Sequence, residues 1–220
     1  VDAGSTGISL KPSGGGLPPR TITDVTTILD QASLKETAKV RKARNRISEV
    51  VSENAGDSVL TKYYVNRARA FWRLAMMTEA IEAFKKAAVH VKDAWMAPKG
   101  AAMRIHSHLG YAQLWGGVFS DGIKSLETAL DETPSNFYGW FVQISADLSS
   151  SLAIAGDVKE AEEWIDYARE SYEDFLAHDY NQDYKYTIAA VLFGAEGSLA
   201  RARGKYTDAE KFLSKAVRKK

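Results

Sequence analysis

The chain has 220 residues, of which 45% are hydrophobic and 26% charged, a balance typical of one or two globular domains or a short repeat array. It has no cysteine, which excludes disulfides, thiol catalysis and thiolate metal sites. The net charge of +1 conceals an uneven distribution, since Asp131–Tyr184 carries 13 acidic and 2 basic residues and Lys35–Arg46 carries 6 basic and 1 acidic. Blocks of one sign are solvated faces or partner surfaces.

Residues 1–19 are rich in Gly, Ser and Pro, which predicts a flexible leader. Residues 20–56 predict a pair of helices. The first has an apolar face formed by Ile22, Val25, Ile28 and Leu29, and the second, over about Ser33–Asn54, carries the basic cluster. Because the chain begins at Val1, we expect a processed protein or a piece of a longer one. A bacterial periplasmic or exported location and a cytoplasmic one both stay open.

From Leu60 onward the chain has helical periodicity and no strand-like alternation, and Gly and Pro fall mainly between the periodic segments. Eight helices are predicted, over about 61–75, 78–91, 101–115, 119–132, 136–155, 158–177, 184–203 and 206–219. No stretch approaches 18 uninterrupted apolar residues, so no membrane span is expected.

Four of these helices share a stripe of a small residue, a large apolar residue four later and an alanine three later again. The stripes are Ala80, Phe84 and Ala87; Gly122, Leu126 and Ala129; Ala161, Ile165 and Ala168; and Ala209, Leu213 and Ala216. Gly117, Gly156 and Gly204 lie five residues before three of the stripes, and Ala75 replaces the glycine in the first copy. This spacing predicts helix hairpins with a tight turn, repeated four times.

The repeated frame resembles the tetratricopeptide repeat (TPR), a helix–turn–helix unit of 34 residues. The resemblance covers 60–220, with units over about 60–92, 101–134, 136–177 and 184–220, and it implies an all-α solenoid of about four repeats. The copies depart from the family in period, because the small positions are spaced 42, 39 and 48 apart. The helices are therefore expected to be longer than usual and the superhelix irregular. The alternative architecture is a plain helical bundle.

Few residues could carry catalysis. His106 and His108 are two apart and therefore point to different faces of a helix, whereas a shared metal would need a spacing of three or four. The chain has no Gly-x-Ser-x-Gly elbow, and its GGG run lacks the Lys-Ser/Thr of a phosphate loop. We therefore expect a protein that is not an enzyme, with no catalytic residue, no metal site and no cofactor.

The resemblance also implies a binding face, because TPR proteins hold peptides in a concave groove lined by the first helix of each repeat. The groove positions give a set of candidate peptide-binding residues: Lys62, Asn66, Arg69, Trp72, Arg73, Arg104, His108, Tyr111 and Trp115. Arginine beside aromatic residues suits a partner with acidic and apolar side chains. The alternative for Trp72 and Trp115 is a half-buried packing role.

Two further interpretations concern the rest of the chain. The segment LPPRTITDVTTILDQ resembles the region ahead of the repeats in bacterial TPR proteins that carry a CHAT-type peptidase domain, which would make this chain the regulatory or sensor region of a larger enzyme. The basic Lys35–Arg46 segment could instead contact the acidic 131–184 segment of another copy, giving a homo-oligomer. Nucleic-acid binding is not expected, because the basic segment lacks interleaved aromatic residues. A scaffold that binds a protein or peptide partner is the main prediction.

Overall fold

A computed structural model of the chain describes residues 38–52, 54–92, 98–178 and 180–217. The chain divides into two compact units, Val1–Lys42 and Ala43–Lys220, and the helices from Asp57 onward all belong to the second unit. The predicted leader, the first predicted helix and the segment that carries the CHAT resemblance lie outside the described residues. The division into leader, helical pair and repeat array therefore stays a prediction.

The described residues form nine α-helices and no strand. The helices are α1 (Ala38–Ile47), α2 (Asp57–Arg73), α3 (Met77–Val91), α4 (Ala101–Trp115), α5 (Phe119–Asp131), α6 (Tyr138–Ala155), α7 (Val158–Leu176), α8 (Gln182–Ala202) and α9 (Tyr206–Val217). The eight helices predicted after Leu60 are therefore present, and most of their ends lie within two residues of the prediction. None of these helices has both the length and the apolar character that crossing a membrane requires.

Two helix ends differ from the sequence prediction. The basic helix ends at Ile47, although it was expected to continue to Asn54. The residues that follow include Ser48, Val50 and Val51, which are weak helix formers, and the backbone carbonyl of Glu49 accepts hydrogen bonds from the next helix instead. The next helix, α2, begins at Asp57, four residues earlier than predicted, directly after Gly56.

Four hairpin turns share one backbone geometry. In each, the residue that follows the helix has positive φ: 57° at Ala75, 81° at Gly117, 94° at Gly156 and 72° at Gly204. The next residue then donates its N–H to a carbonyl five residues back, at 3.0, 2.8, 3.0 and 2.9 Å in chain order. This bond defines the Schellman motif that closes helix C-termini. The four turns are therefore structural equivalents, including the copy in which alanine replaces glycine.

The repeated stripe lies in the core. In α3, α5 and α7 every member of the stripe is buried, and the large residues Phe84, Leu126 and Ile165 are each at most 1% exposed. In α9 the small residue Ala209 is buried but Leu213 is 43% exposed, because α9 is the last helix that the structure describes. The stripes of the first three hairpins are therefore core residues, as their spacing predicted.

Glycine sets the closest helix approach. A Cβ on Gly110 would lie 2.8 Å from Leu126 Cγ and 3.0 Å from the backbone oxygen of Gly122, and a Cβ on Gly122 would lie 2.7 Å from Leu114 Cγ. No side chain larger than hydrogen fits either position without movement of its neighbours. Helices α4 and α5 therefore cross with their backbones nearly in contact.

The hairpins α2–α3, α4–α5, α6–α7 and α8–α9 stack in chain order, and neighbouring hairpins also touch through α3 with α4, α5 with α6 and α7 with α8. One contact breaks this regular pattern. The backbones of α6 and α8 lie close together, two helices apart in the chain, whereas α2 and α4 meet through side chains such as those of Trp72 and Trp115. Close backbone packing between alternate helices is therefore a feature of the later part of the array.

Candidate functional site

A cavity of about 360 Å³ lies between α2 and α4, the first helices of the first two hairpins. Its wall combines residues from both helices with Phe84 of α3 and Pro98 of the loop before α4. The lining residues are Ser58, Thr61, Lys62, Val65, Asn66, Arg69, Phe84, Pro98, Ala101, Arg104, Ile105 and His108. We call this the α2–α4 cavity. Its volume is at the lower end of the range for ligand pockets, roughly 300 to 1000 Å³.

The α2–α4 cavity is positively charged. Lys62 and Arg69 reach it from α2 and Arg104 from α4, and all three are exposed residues. None of them forms an ion pair with any residue that the structure describes, and the described lining contains no Asp or Glu. Arg104 lies over the ring of Phe137, with its guanidinium carbon 6.0 Å from the ring centroid. These charges are therefore free to meet an anion.

His108 contributes an imidazole ring to the lining of the cavity. Its Nδ1 lies 2.6 Å from the backbone carbonyl of Arg104, so Nδ1 carries the proton and Nε2 is the acceptor when the ring is neutral. Burial lowers the pKa of His108, and the charges of Arg69 and Arg104 lower it further, against the opposing effect of that hydrogen bond. The ring is consequently neutral at pH 7.

Sequence reasoning missed two polar residues of the cavity. Ser58 Oγ and Thr61 Oγ1 are buried and have no hydrogen-bond partner among the described residues. Thr61 as a whole residue is only 9% exposed. Ser58 was missed because the helix was predicted to begin at 61, one turn too late, and Thr61 because the groove positions of the repeat frame begin at Lys62. The Gly56-Asp57-Ser58 sequence is the signal that could have found them, since Gly followed by Asp and Ser is typical of a helix start.

The nine candidate groove residues do not all meet. Five of them line the α2–α4 cavity: Lys62, Asn66, Arg69, Arg104 and His108. A residue of α1 orients the Asn66 side chain, because Arg46 Nη1 donates to Asn66 Oδ1 at 3.0 Å.

The aromatic candidates lie outside the cavity lining. The rings of Trp72 and Trp115 are 6.4 Å apart; Trp72 packs edge-on against Phe84, and Trp115 is 76% exposed. Trp72 therefore has the packing role considered as an alternative, whereas Trp115 remains available to a partner. Arg73 is exposed and also lies outside the lining.

Tyr111 faces the next repeat and contacts a half-buried carboxyl group. Its hydroxyl donates to Asp147 Oδ2 at 2.7 Å, and Gln143 Nε2 donates to that hydroxyl at 3.4 Å. Burial raises the pKa of Asp147 to about 6, although the hydrogen bond from Tyr111 acts in the other direction. Burial also raises the pKa of Tyr111, with a further contribution from the neighbouring Asp147. This pair joins α4 to α6.

The other histidine of the predicted pair faces away from the cavity. His106 Nε2 lies 3.8 Å from Glu132 Oε2, and neither atom has a hydrogen-bond partner. Burial lowers the pKa of His106, against the attraction of Glu132. The two histidines thus point to different faces, as their spacing predicted. Among the described residues no group of three or more His, Asp or Glu could hold a metal ion.

The acidic surface of α7 is partly neutralised within the array. Glu162 forms an ion pair with Arg203, and Arg169 lies 2.7 Å from Asp166 and 2.8 Å from Glu196. These contacts link α7 to α8 and to the turn after it. Part of the acidic block of the sequence therefore forms ion pairs with basic residues of the same array.

Comparison with known proteins bears on the fold alone. No protein-family model matches the chain, and no curated protein matches it. Among solved structures, the chain is similar to the nearly identical TPR-like repeats of a Podospora anserina protein described as a kinesin light chain. The identity is 12%, the TM-score is 0.52, and the match covers 88% of this chain and 82% of that one. Together with the nine helices and the repeated turns, this similarity shows that the described array is an all-α, TPR-like helical solenoid.

Proposed function

We propose that the chain is a protein-interaction module that binds an acidic, partly apolar peptide of a partner protein in the α2–α4 cavity. The observation that carries the proposal is the composition of the cavity wall. Three exposed cations without a described ion-pair partner surround a floor that includes Phe84, Val65 and Ile105. Such a wall attracts an acidic side chain, and a peptide that binds there removes apolar surface from water.

The repeat architecture supports the same function. Helical solenoids present extended surfaces built from the first helices of their repeats, and the cavity lies between two such helices, α2 and α4. Trp115, exposed beside Trp72, extends this face with the kind of aromatic surface that is enriched in binding hot spots. Lys62, Arg69 and Arg104 are the residues proposed to orient the peptide, through charge-assisted hydrogen bonds.

We propose binding without catalysis. A nucleophile would need a base within hydrogen-bond reach, and the basic nitrogen that His108 offers is Nε2, since Nδ1 contacts the backbone carbonyl of Arg104. No described side-chain hydroxyl donates a hydrogen bond to His108 Nε2. The cavity residues are accordingly suited to holding an anionic group in place.

A displayed library of random peptides, panned on the purified protein, tests the proposal. We expect enrichment of peptides that combine Asp or Glu with apolar residues, and loss of their binding in the double variant Arg69→Glu/Arg104→Glu. The matched control is Lys124→Glu/Lys159→Glu, which changes the net charge equally at two exposed positions outside the cavity. Both variants are checked for the wild-type helical circular dichroism spectrum. Equal peptide capture by the two variants would remove the cavity as the binding site.

A further inference from the structure

We propose that the α2–α4 cavity recognises a phosphoryl group carried by a serine or threonine of the partner peptide. This inference rests on the peptide-binding function proposed above and names the group that the cavity selects. It draws on features of the cavity that peptide binding alone does not explain: buried hydroxyl groups without partners, two uncapped helix starts and an excess of hydrogen-bond donors.

The buried hydroxyl groups are the most specific of these features. Thr61 Oγ1 and Ser58 Oγ are shielded from water, line the cavity and donate to no acceptor of the described protein. Buried polar groups without a protein partner are rare in native structures, and a bound water, ion or ligand commonly satisfies them. Each hydroxyl can donate one hydrogen bond, so an acceptor-rich group in the cavity would satisfy both.

Two helix N-termini also meet at the cavity. Ser58 and Thr61 belong to the first turns of α2, and Ala101 and Arg104 to the first turns of α4. The residues before these helices are Gly56 and Gly100, and neither helix has a side-chain cap. The free N–H groups and the dipole at a helix N-terminus favour anions. The first turn of α4 has no acidic residue, so its N-terminus adds to the field of the three cations, whereas Asp57 in the first turn of α2 has a carboxylate of its own, which lies 2.7 Å from His90 Nδ1.

The remaining polar groups of the cavity are donors as well. Because Asn66 Oδ1 accepts from Arg46 Nη1, the side-chain amide of Asn66 keeps both of its N–H donors. Lys62, Arg69 and Arg104 have donors only, Ser58 and Thr61 can donate as well as accept, and His108 Nε2 is the one side-chain atom of the described lining that can only accept and has no donor. A carboxylate has one charge and two oxygens. A phosphoryl group has a charge of about −1.5 to −2 and three acceptor oxygens, so it uses this donor set more fully.

The size and the apolar part of the cavity favour a phosphorylated peptide over free phosphate. The volume of about 360 Å³ is in the range of pockets that enclose a drug-sized ligand, far more than one tetrahedral anion fills. Val65, Phe84 and Ile105 form an apolar wall, with Phe84 only 1% exposed. Aliphatic carbons of the peptide would cover this wall while the phosphoryl oxygens meet the cations.

The test compares defined probes on the purified chain. Three peptide pools have randomised flanks around one fixed position, which is phosphoserine, serine or glutamate; inorganic phosphate and acetate are the small probes. Binding is measured by isothermal titration calorimetry and by amide shifts of Ser58, Thr61 and Arg104 in nitrogen-15 spectra. We expect the phosphoserine pool to bind at least about tenfold more tightly than the other two pools, and inorganic phosphate to shift the same amides only at much higher concentration.

Single variants connect the binding to the cavity. Arg69→Gln and Arg104→Gln are each expected to weaken phosphoserine binding by about tenfold to a hundredfold, because each removes a charge-assisted contact. Thr61→Val should weaken it by about fivefold while leaving the melting temperature equal or higher, since the variant removes an unpaired buried hydroxyl; Thr61→Ser should restore affinity. Lys124→Gln, which removes one charge at an exposed position outside the cavity, is the matched control and should change neither quantity.

The outcomes separate the two proposals. Equal binding of the glutamate and phosphoserine pools, with the same dependence on Arg69 and Arg104, would overturn phosphoryl recognition and leave acidic-peptide binding in place. Inorganic phosphate that binds as tightly as the phosphopeptides would overturn the peptide as the source. Phosphoserine binding that survives in Arg69→Gln and Arg104→Gln would overturn the cavity as the site for both proposals.

Discussion

The first helices of the hairpins meet differently in the two parts of the array. Helices α2 and α4 enclose a cavity with a cationic wall, whereas α6 and α8 pack directly on each other. The residues at the facing positions explain the difference. At two corresponding positions α2 has the large residues Val65 and Trp72, and α6 has Ala146 and Ala153, which are buried with Ile188 and Leu192 of α8.

This comparison shows that side-chain size at a few repeated positions decides whether neighbouring first helices touch. Two small residues let backbones approach, and the apolar area that they bury stabilises the contact. Larger residues hold the backbones apart, and Lys62 and Arg69 of α2 stay accessible, because bringing Lys or Arg into a dry interface would cost more than the buried area returns. The later part of the array is therefore packed more closely, and the earlier part has an accessible cavity.

The largest expected effect concerns Asp147, which lies where the two parts join. Its native pKa of about 6 is above its ordinary value of 3.8, so the native state holds more protons than the unfolded state between these values. The free energy of unfolding should therefore fall as pH rises through this window and stay low above it. Asp147→Asn keeps an acceptor for the Tyr111 hydroxyl and removes the charge. We expect it to raise stability at pH 7 by up to about 3 kcal/mol.

Urea unfolding at pH 4, 5, 6 and 7 measures this effect. The wild type should lose stability across the series relative to Asp147→Asn, whose profile should be flatter. Asp174→Asn, at an exposed position of α7, is the control and should follow the wild type. A lower stability of Asp147→Asn than of the wild type at pH 7 would show that the carboxylate is better accommodated than its burial indicates.

The role of residue size is tested by introducing leucine at corresponding positions of α6 and α2. Ala146→Leu adds three carbons at a fully buried position of α6, and we expect a loss of about 1–3 kcal/mol through overpacking. Val65→Leu, at the corresponding position of α2, extends into the cavity and should cost less than about 1 kcal/mol. Chemical denaturation measures both. Similar losses in the two variants would mean that α2 and α4 are as tightly packed as α6 and α8.

The close crossing of α4 and α5 predicts a smaller effect on stability. A second glycine, Gly194, provides a control for which the expected change has the opposite sign. Gly110→Ala places a methyl group against Leu126 and the backbone of Gly122, so we expect a net loss of about 1–2 kcal/mol after the gain in helix propensity. Gly194→Ala has no atom within 4 Å of the new Cβ and should gain about 0.5–1 kcal/mol. Thermal unfolding of both variants should therefore shift in opposite directions. A stabilised Gly110→Ala would contradict the close approach.

The smallest expected effect concerns the first hairpin turn. Ala75 has φ of 57°, in the region where the other three turns have glycine. Ala75→Gly should raise stability by about 0.5–1 kcal/mol, because it relieves the strain of a Cβ in the left-handed region. The reciprocal change, Gly156→Ala, should lower stability by about the same amount. Differential scanning calorimetry compares the two, and a loss of stability in Ala75→Gly would show that the alanine is unstrained there.

Much of the helical architecture was predictable because its signals are local. Stripe residues at i, i+4 and i+7, such as Ala161, Ile165 and Ala168, share a helix face at any distance from the rest of the chain. The turn glycines were predictable for the same reason. The end of α1 at Ile47 was not, since the hydrogen bonds from Tyr63 and Arg67 to the carbonyl of Glu49 come from another helix.

By itself, the sequence determined the helices, the hairpin turns, the repeated stripe and five of the residues that line the cavity. Each depends on neighbours within about two helical turns. Only the tertiary structure decided that a cavity opens between α2 and α4 while α6 and α8 pack closely, that Ser58 and Thr61 are buried without partners among the described residues, and that Tyr111 turns to Asp147. These features depend on distances between helices that are far apart in the chain, and helical periodicity contains no information on those distances.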